Sequence, residues 1–401
     1  MRTLTNFNIS VAVTEAFMAA VEADAEYDLV NPKDGSVTGR KRARHIFDLL
    51  VANAWKNGDP GIVFIDRINR DQPTPNLGLI EATNPCGEQP LLPYESCNLG
   101  SLNLARFVRR DGERTRLDWE RLAQVIPQCV RFLDDVIDMN RYPIEEIDRA
   151  TKATRKIGLG IMGWHDTLMQ LRIPYDSDDA LALAEEVASF IHAKANDASL
   201  ELARERGTFP AWKGSRYDPE AQYRNATRTT IAPTGTISII ADASSGIEPA
   251  FALAFTRRHY LDPDDPSKLT ALREENKHFA AAAREGGFYS EELMDCLASG
   301  GTIAAWNVSL AADVPRGEGL TPVPDWAERV FVTAHEIAPE WHVRMQAAFQ
   351  RHTDNAVSKT INFPLEATEA DVAAAFWLAY REDCKGITIY REGSRDFSVL
   401  S

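Results

Sequence analysis

An α/β fold built on parallel strands is predicted by three stretches of this chain. Residues 359–363 read as a short strand, Thr368 caps a helix running to about residue 381, and residues 386–390 read as the next strand. Such a strand–helix–strand unit builds parallel sheets. A second apolar run of strand length, residues 61–66, follows a helical pattern over residues 41–55. The clearest helix covers residues 177–206, with Leu181, Ala184, Val187, Ile191 and Ala195 at helical spacing and Gly207 as its stop.

Taken in order, Asn6-Phe7-Asn8-Ile9-Ser10-Val11-Ala12-Val13 is expected to be a buried strand. Residues 14–24 and 41–55 are expected to be helices, separated by the turn Asn31-Pro32-Lys33-Asp34-Gly35. The strand at 61–66 precedes a Pro/Gly-rich loop carrying Asn84 to Cys97, and residues 102–108 form the return strand. Helical patterns then dominate to residue 206, and strand and loop return over residues 229–238. Residues 261–300 are polar and helix-rich, with the acidic turn Asp262-Pro263-Asp264-Asp265-Pro266, and are expected to be peripheral. No internal repeat or low-complexity tract is present.

At 401 residues the chain is long for one core, so more than one domain or one large barrel is expected. Its 44% hydrophobic content excludes a disordered class. A net charge of −15 argues against a nucleic-acid surface and against binding to an anionic membrane, though a few backbone N–H groups can still hold a phosphate locally. No apolar run approaches the ~20 residues that span a bilayer, and Met1-Arg2-Thr3-Leu4-Thr5-Asn6-Phe7 has no signal-peptide core. Five cysteines with no CxxC pair and no metal spacing fit a reducing cytoplasm, with no metal site.

The segment Asn84-Pro85-Cys86-Gly87-Glu88-Gln89-Pro90-Leu91 concentrates chemistry. Side chains two apart in extended or looped backbone share a face, so Asn84, Cys86 and Glu88 can enter one site. A thiol, an amide and a potential general base at one point form a catalytic arrangement. The plainer alternative is a turn with an incidental buried thiol. A second segment, Ala232-Pro233-Thr234-Gly235-Thr236-Ile237-Ser238, follows a strand and precedes a helix start. Its glycine, hydroxyls and free N–H groups can take a phosphate, although Pro-Thr-Gly-Thr is also an ordinary turn.

Together these segments resemble the ribonucleotide reductases, most closely the adenosylcobalamin-dependent class II enzymes. The resemblance implies that Cys86 becomes a thiyl radical and abstracts the 3′-hydrogen of a ribonucleotide. Glu88 is then the base for the 3′-hydroxyl, and Asn84 hydrogen-bonds the sugar hydroxyls. Cys97 is one half of the dithiol that reduces the 2′ position. Thr234, Gly235, Thr236 and Ser238 are implied to hold the substrate phosphates. Glu248, in Gly246-Ile247-Glu248-Pro249, is expected to be a structural cap or pair without a catalytic role. Arg155-Lys156-Ile157-Gly158-Leu159-Gly160-Ile161-Met162-Gly163-Trp164 resembles a helix lead-in whose glycines allow tight packing. Residues 357–362 and 385–395 resemble the last barrel strands, with Lys359 and Arg391 expected in surface ion pairs. The class II reading rests on Gly87-Glu88-Gln89-Pro90-Leu91 and on residues 232–249; a class I-type large chain is the alternative chemistry.

The implied architecture is the second half of a ten-stranded α/β barrel with its central finger loop (about 82–100), surrounded by helices, all of 1–401 being one portion of that barrel. The family's partner for Cys97, its base-recognition and effector loops, and its tail cysteine pair have no match here. The expectation is therefore a truncated reading or one piece of a split enzyme that cannot turn over alone. Implied partners are the ribonucleotide, a thioredoxin-like reductant, the missing N-terminal half (on the same gene or a separate chain) and a second copy of the chain. A non-catalytic nucleotide-binding fragment is the rival from another class.

His165 beside Asp166 suggests a dyad, but adjacent helical residues do not face each other. Cys129 and Cys384 are expected to be packing residues, and Cys296 to be exposed.

Overall fold

The computed structural model describes residues 7–112, 114–260, 269–311 and 320–394. The chain opens with β1 (Ser10–Val13), α1 (Glu15–Glu22), the hairpin β2 (Glu26–Val30) and β3 (Val37–Arg42), then α2 (Ala43–Asn57). β4 (Gly61–Phe64) runs into α3 (Ile65–Asp71), and the loop beyond carries β5 (Ala82–Thr83) and β6 (Pro90–Leu91). β7 (Asn98–Asn103), the hairpin β8 (Val108–Asp111) and β9 (Arg114–Leu117), α4 (Trp119–Met139) and α5 (Glu145–Thr154) follow. β10 (Ile157–Met162), α6 (Trp164–Leu171), α7 (Asp178–Arg206) and α8 (Gly235–Ala241) complete the middle. The later part has β11 (Ala254–Tyr260), β12 (Leu269–Glu275), α9 (Lys277–Gly286), α10 (Glu291–Ala298), α11 (Ile303–Ala311), α12 (Asp325–Val330) and α13 (Pro339–Gln350). β13 (Thr360–Phe363), α14 (Glu369–Arg381) and β14 (Gly386–Arg391) close it.

Strand pairing assembles a curved wall. β7 and β10 pair in parallel, from Asn98↔Ile157 to Asn103↔Met162. Parallel bridges Leu159↔Thr229 and Ile231↔Val357 carry the wall from β10 through residues 229–231 to residue 357, just ahead of β13. β13 pairs parallel with β14. Five chain segments thus run in one direction, the half barrel expected above. β4 pairs antiparallel with β14, and β1 parallel with β4, so these two strands have the opposite sense. Among the described residues, β7 and β1 have no partner strand on their outer edges.

Alternation along β10 decides which side is which. Ile157, Leu159 and Ile161 are buried in a core shared with Leu122, Ile126 and Val130 of α4 and Val187 and Ile191 of α7. Gly158 and Gly160 face the other way, into the barrel interior. A Cβ on Gly160 would stand 2.2 Å from the Thr230 carbonyl oxygen, and one on Gly158 2.6 Å from Thr230 Cγ2. Since the obstacle at Gly160 is backbone, Gly160→Ala is expected to destabilise the protein by about 1–3 kcal/mol or more, as overpacking does. Thermal denaturation checks this; an unchanged Tm would mean the wall yields where the geometry says it cannot.

A second core joins α2 and α14 to β4, β13 and β14, with Phe47 against Phe376 and Trp377 at ring-centroid distances of 6.3 and 5.6 Å. A third, around Phe279, Phe288, Leu293 and Phe331, belongs to α9–α12. The region expected to be peripheral at 261–300 shares this core with α11, α12, Leu253 and Met169 of α6, and it contains β12, which pairs with β11; the turn 262–266 lies outside the described residues.

Several expectations are corrected. The first strand begins at Ser10 and is largely exposed, because it is an edge strand; Asn6 lies outside the described residues. Ile65 and Asp66 start α3 instead of ending a strand. The return strand is β7, beginning at Asn98 rather than at Leu102. Helix dominates up to residue 206 as expected, in α4, α5, α6 and α7, with the short strands β8 and β9 ahead of them and β10 between α5 and α6. The stretch read as a helix lead-in is mostly the buried strand β10, with helix beginning only at Trp164. Its glycines do serve close approach, here between strands. The helix at 177–206 stands as expected, capped by Ser177, whose hydroxyl accepts from Ala180 N, and ended at Gly207.

Candidate active site

The loop between β4 and β7 crosses the inner face of the wall. Its tip is a tight turn between the short paired strands β5 and β6. Asn84 N donates to Gln89 O (3.1 Å), Gly87 N to Asn84 O (3.0 Å), and Gln89 N to the Asn84 side-chain oxygen (2.9 Å). Asn84 thus closes the turn with its Oδ1 and keeps its amide N–H₂ for other partners. Gly87 supplies the positive φ (+82°) that the turn requires, and nothing stands within 4 Å of where a Cβ would be.

The tip is anchored through main chain. Ala356 N and Thr230 Oγ1 both donate to the Glu88 carbonyl oxygen, at 3.0 and 2.9 Å. With its backbone fixed, Glu88 is buried, and its carboxylate Oε2 is buried without a hydrogen-bond partner among the described residues. Such an oxygen is costly to leave unmade. Gln89 beside it is also buried, and neither of its side-chain amide atoms has a hydrogen-bond partner among the described residues. Cys86 is exposed; partial burial, then the nearby Glu88 charge, push its thiol above the ordinary cysteine value. Cys97, half-buried at the foot of β7, is raised strongly by desolvation. Lys156 opposes that shift, while Glu95 and Glu88 add to it. Asn84, Cys86 and Glu88 therefore share one turn, and the Glu88 charge acts on both Cys86 and Cys97.

Beside Cys97 sits an ion pair the sequence reading passed over. Lys156 Nζ lies 2.6 Å from Glu95 Oε2, with side-chain exposures of only 1% and 2%. Glu95 also accepts from Thr154 Oγ1 and Leu92 N, both at 2.7 Å.

The second segment lies at the carboxyl ends of the parallel strands, where α/β sheets place ligands. Thr234 is left-handed (φ +57°) and its Oγ1 accepts from Gly246 N at 2.7 Å. Ser238 is buried, its Oγ against Gly235 O (3.1 Å) and Ser245 Oγ (2.8 Å). These two shape the loop, whereas Gly235 and Thr236 are exposed on it.

Two cations expected at the surface are buried. Lys359 bonds Glu248 (2.5 Å) and His342 Nδ1 (2.9 Å), and Glu248 also accepts from Thr360 N, a structural pairing. Arg391 donates to Trp55 O and Leu365 O and stacks over the Trp55 ring at 4.3 Å, with no carboxylate partner among the described residues. His165 accepts from Ala250 N and Asp166 from Ser244 N, so they form no dyad. Cys129 is half-buried against the first core and Cys384 fully buried in the second, whereas Cys296 is half-buried against the third core rather than exposed. Among the described residues no group of His, Cys, Asp and Glu could hold a metal ion, and no helix is long and apolar enough to cross a membrane.

Comparison with known proteins adds independent information. Residues 1–223 and 219–390 match the family described as ribonucleotide reductase, barrel domain. A vitamin B12-dependent ribonucleoside-diphosphate reductase of Thermoplasma acidophilum is 50% identical over 401 residues, covering 100% of this chain and 49% of the relative. One of the same description from Mycobacterium tuberculosis is 50% identical over 402 residues, covering 99% and 54%. The chain thus spans about half the length of the curated relatives it matches. Among solved structures, the class Id ribonucleotide reductase alpha subunit of Actinobacillus ureae superposes with a TM-score of 0.73 at 22% identity, over 96% of this chain and 65% of that one. At that identity the likeness concerns the fold.

Proposed function

The chain belongs to the ribonucleotide reductase barrel-domain family, and we propose that it carries the radical-bearing half of a class II reductase, which converts ribonucleotides to 2′-deoxyribonucleotides as DNA precursors. The observation that carries this reading is the buried Glu88 Oε2, without a hydrogen-bond partner among the described residues, on the same turn as the exposed thiol of Cys86. A buried acceptor of that kind is completed by a substrate hydroxyl.

On this reading Cys86, as a thiyl radical, takes the 3′-hydrogen of the ribose, while Glu88 accepts the 3′-hydroxyl proton. Asn84 offers its amide N–H₂ to the sugar hydroxyls. Cys97 and a second thiol then supply two electrons: the 2′ C–O bond breaks, the oxygen leaves as water, a C–H bond takes its place and an S–S bond forms. The phosphates rest on the exposed Gly235–Thr236 turn, shaped by Thr234 and Ser238. Adenosylcobalamin, when bound, supplies the radical by homolysis of its cobalt–carbon bond. The residues fit such a group to the extent that Cys86 is exposed and the space at Gly87 is open; these two would meet it. The names of the 50%-identical relatives favour this cofactor over a separate metal subunit. Residues 1–401 are one portion of the barrel, with the finger loop at about 82–100 and residues 261–300 as an insertion. The open edges of β7 and β1 are completed by strands from the half of the relatives' length not spanned here. A thioredoxin-like dithiol and a reducing cytoplasm complete the setting, and a second copy of the chain is a further partner.

The test is deoxynucleotide formation from a ribonucleoside diphosphate or triphosphate by this chain together with that other half, adenosylcobalamin and a dithiol. Product is expected without any further subunit. Product that appears only when a metal-bearing radical subunit is added would move the chain to class I. Nucleotide binding without product in either case would support the non-catalytic fragment.

A further inference from the structure

Lys156 is buried, yet its ammonium finds one acceptor, Glu95 Oε2, among the described residues. Glu95, in contrast, is fully engaged by Lys156, Thr154 and Leu92. The neighbour on which the Lys156 charge acts is Cys97. Asn98↔Ile157 is the first registered pair of β7 and β10. Asn98 reaches outward, its Nδ2 donating to Leu133 O of α4 at 2.7 Å, and Ile157 is packed in the outer core. Gly158 and Leu99 meet on the inward side, and the same alternation, extended one residue before each strand, sets Cys97 beside Lys156 on that side. The charges around Cys97 are Lys156 on the approach to β10, Glu95 two residues before it, and Glu88 at the loop tip. Two are anionic, so Lys156 is the cation that opposes them.

We propose that Lys156 is the counter-charge that receives the thiolate of Cys97, with Glu95 holding it in place, and that the pair positions Cys97 for thiol–disulfide exchange with an external dithiol. This rests on the reductase reading for its context. With Cys97 at one end of a disulfide, a thiolate of the dithiol attacks the other sulfur. The S–S bond to Cys97 breaks, a new S–S bond forms between the reductant and the partner cysteine, and Cys97 leaves with the electron pair. The reductant's second thiol then closes its own disulfide and frees the partner cysteine. The two protons given up by the dithiol end on the two active-site thiols. A thiol of lower pKa is the faster leaving group, and a neighbouring ammonium lowers it against the two carboxylates.

The experiment is the pH profile of Cys97 alkylation by iodoacetamide in this chain, read by peptide mass mapping in a Cys86→Ser background. Lys156→Met is expected to move the profile up by roughly one pH unit or more, the usual effect of losing an adjacent opposite charge. Glu95→Gln is expected to move it down, because it releases the cation to the thiol. Lys156→Arg should leave it near its original place. A merely structural ion pair would loosen the site in both neutralised variants and shift both profiles the same way. Shifts of the same sign, or none, overturn the proposal. Should Lys156→Met fail to fold, Glu95→Gln still decides, since an unmoved or raised profile refutes the assignment. Alkylation needs neither nucleotide nor cofactor, so its failure leaves the reductase reading standing, and failed turnover leaves the profiles interpretable.

Discussion

Cys86→Ser is expected to reduce deoxynucleotide formation to background in the complete enzyme while nucleotide binding persists. The substitution exchanges one atom. A thiol S–H bond is weak enough to be broken and remade around a ribose C–H, whereas a serine O–H is not. Cys86 is exposed at the loop tip, so the fold should register the change by no more than about 0.5 kcal/mol, as for surface substitutions generally. The turn it sits on is closed by Asn84, Gly87 and Gln89, none of which uses the thiol. Single-turnover product analysis beside equilibrium nucleotide binding separates the outcomes. Product at the unsubstituted rate would remove Cys86 from the reaction; loss of binding along with product would make it a structural residue.

Glu88→Gln is expected to slow the reaction by roughly 10²–10⁴-fold, the usual contribution of a positioned acid or base. Its effect on stability should be small or favourable. Oε2 makes no hydrogen bond among the described residues, and removing a buried unpaired charge relieves a desolvation penalty. Measured together, kcat should fall while Tm holds. A Tm that drops by several degrees with an unchanged kcat would mean that the carboxylate serves the fold.

The sequence made the tip of the loop legible because its message is local. Asn84, Cys86 and Glu88 are two apart, and the turn residues between them announce their own geometry. Residues 177–206 were equally plain, since a polar cap, helical spacing and a terminal glycine agree. β10 was misread because a short apolar run with glycines has no periodicity that separates strand from helix; only its pairing with β7 and the closeness of Thr230 decide the matter. Lys359 and Arg391 were expected at the surface because charge usually is, but Glu248 and His342 in one case and carbonyls and Trp55 in the other make burial tolerable. The Glu95–Lys156 pair was invisible for the same reason. Its partners are far apart in sequence, and no local rule joins them.

Glu88 is held by its carbonyl oxygen and acts through its carboxylate, and the two are independent. Ala356 and Thr230 grip a peptide group that every amino acid possesses, so the mounting is indifferent to the tool it carries. Residue 88 can therefore be exchanged without moving the loop tip, whereas Asn84 and Gly87, which shape the turn, cannot. This makes the half barrel a natural test bench on which the chemistry of residue 88 can be varied at constant position.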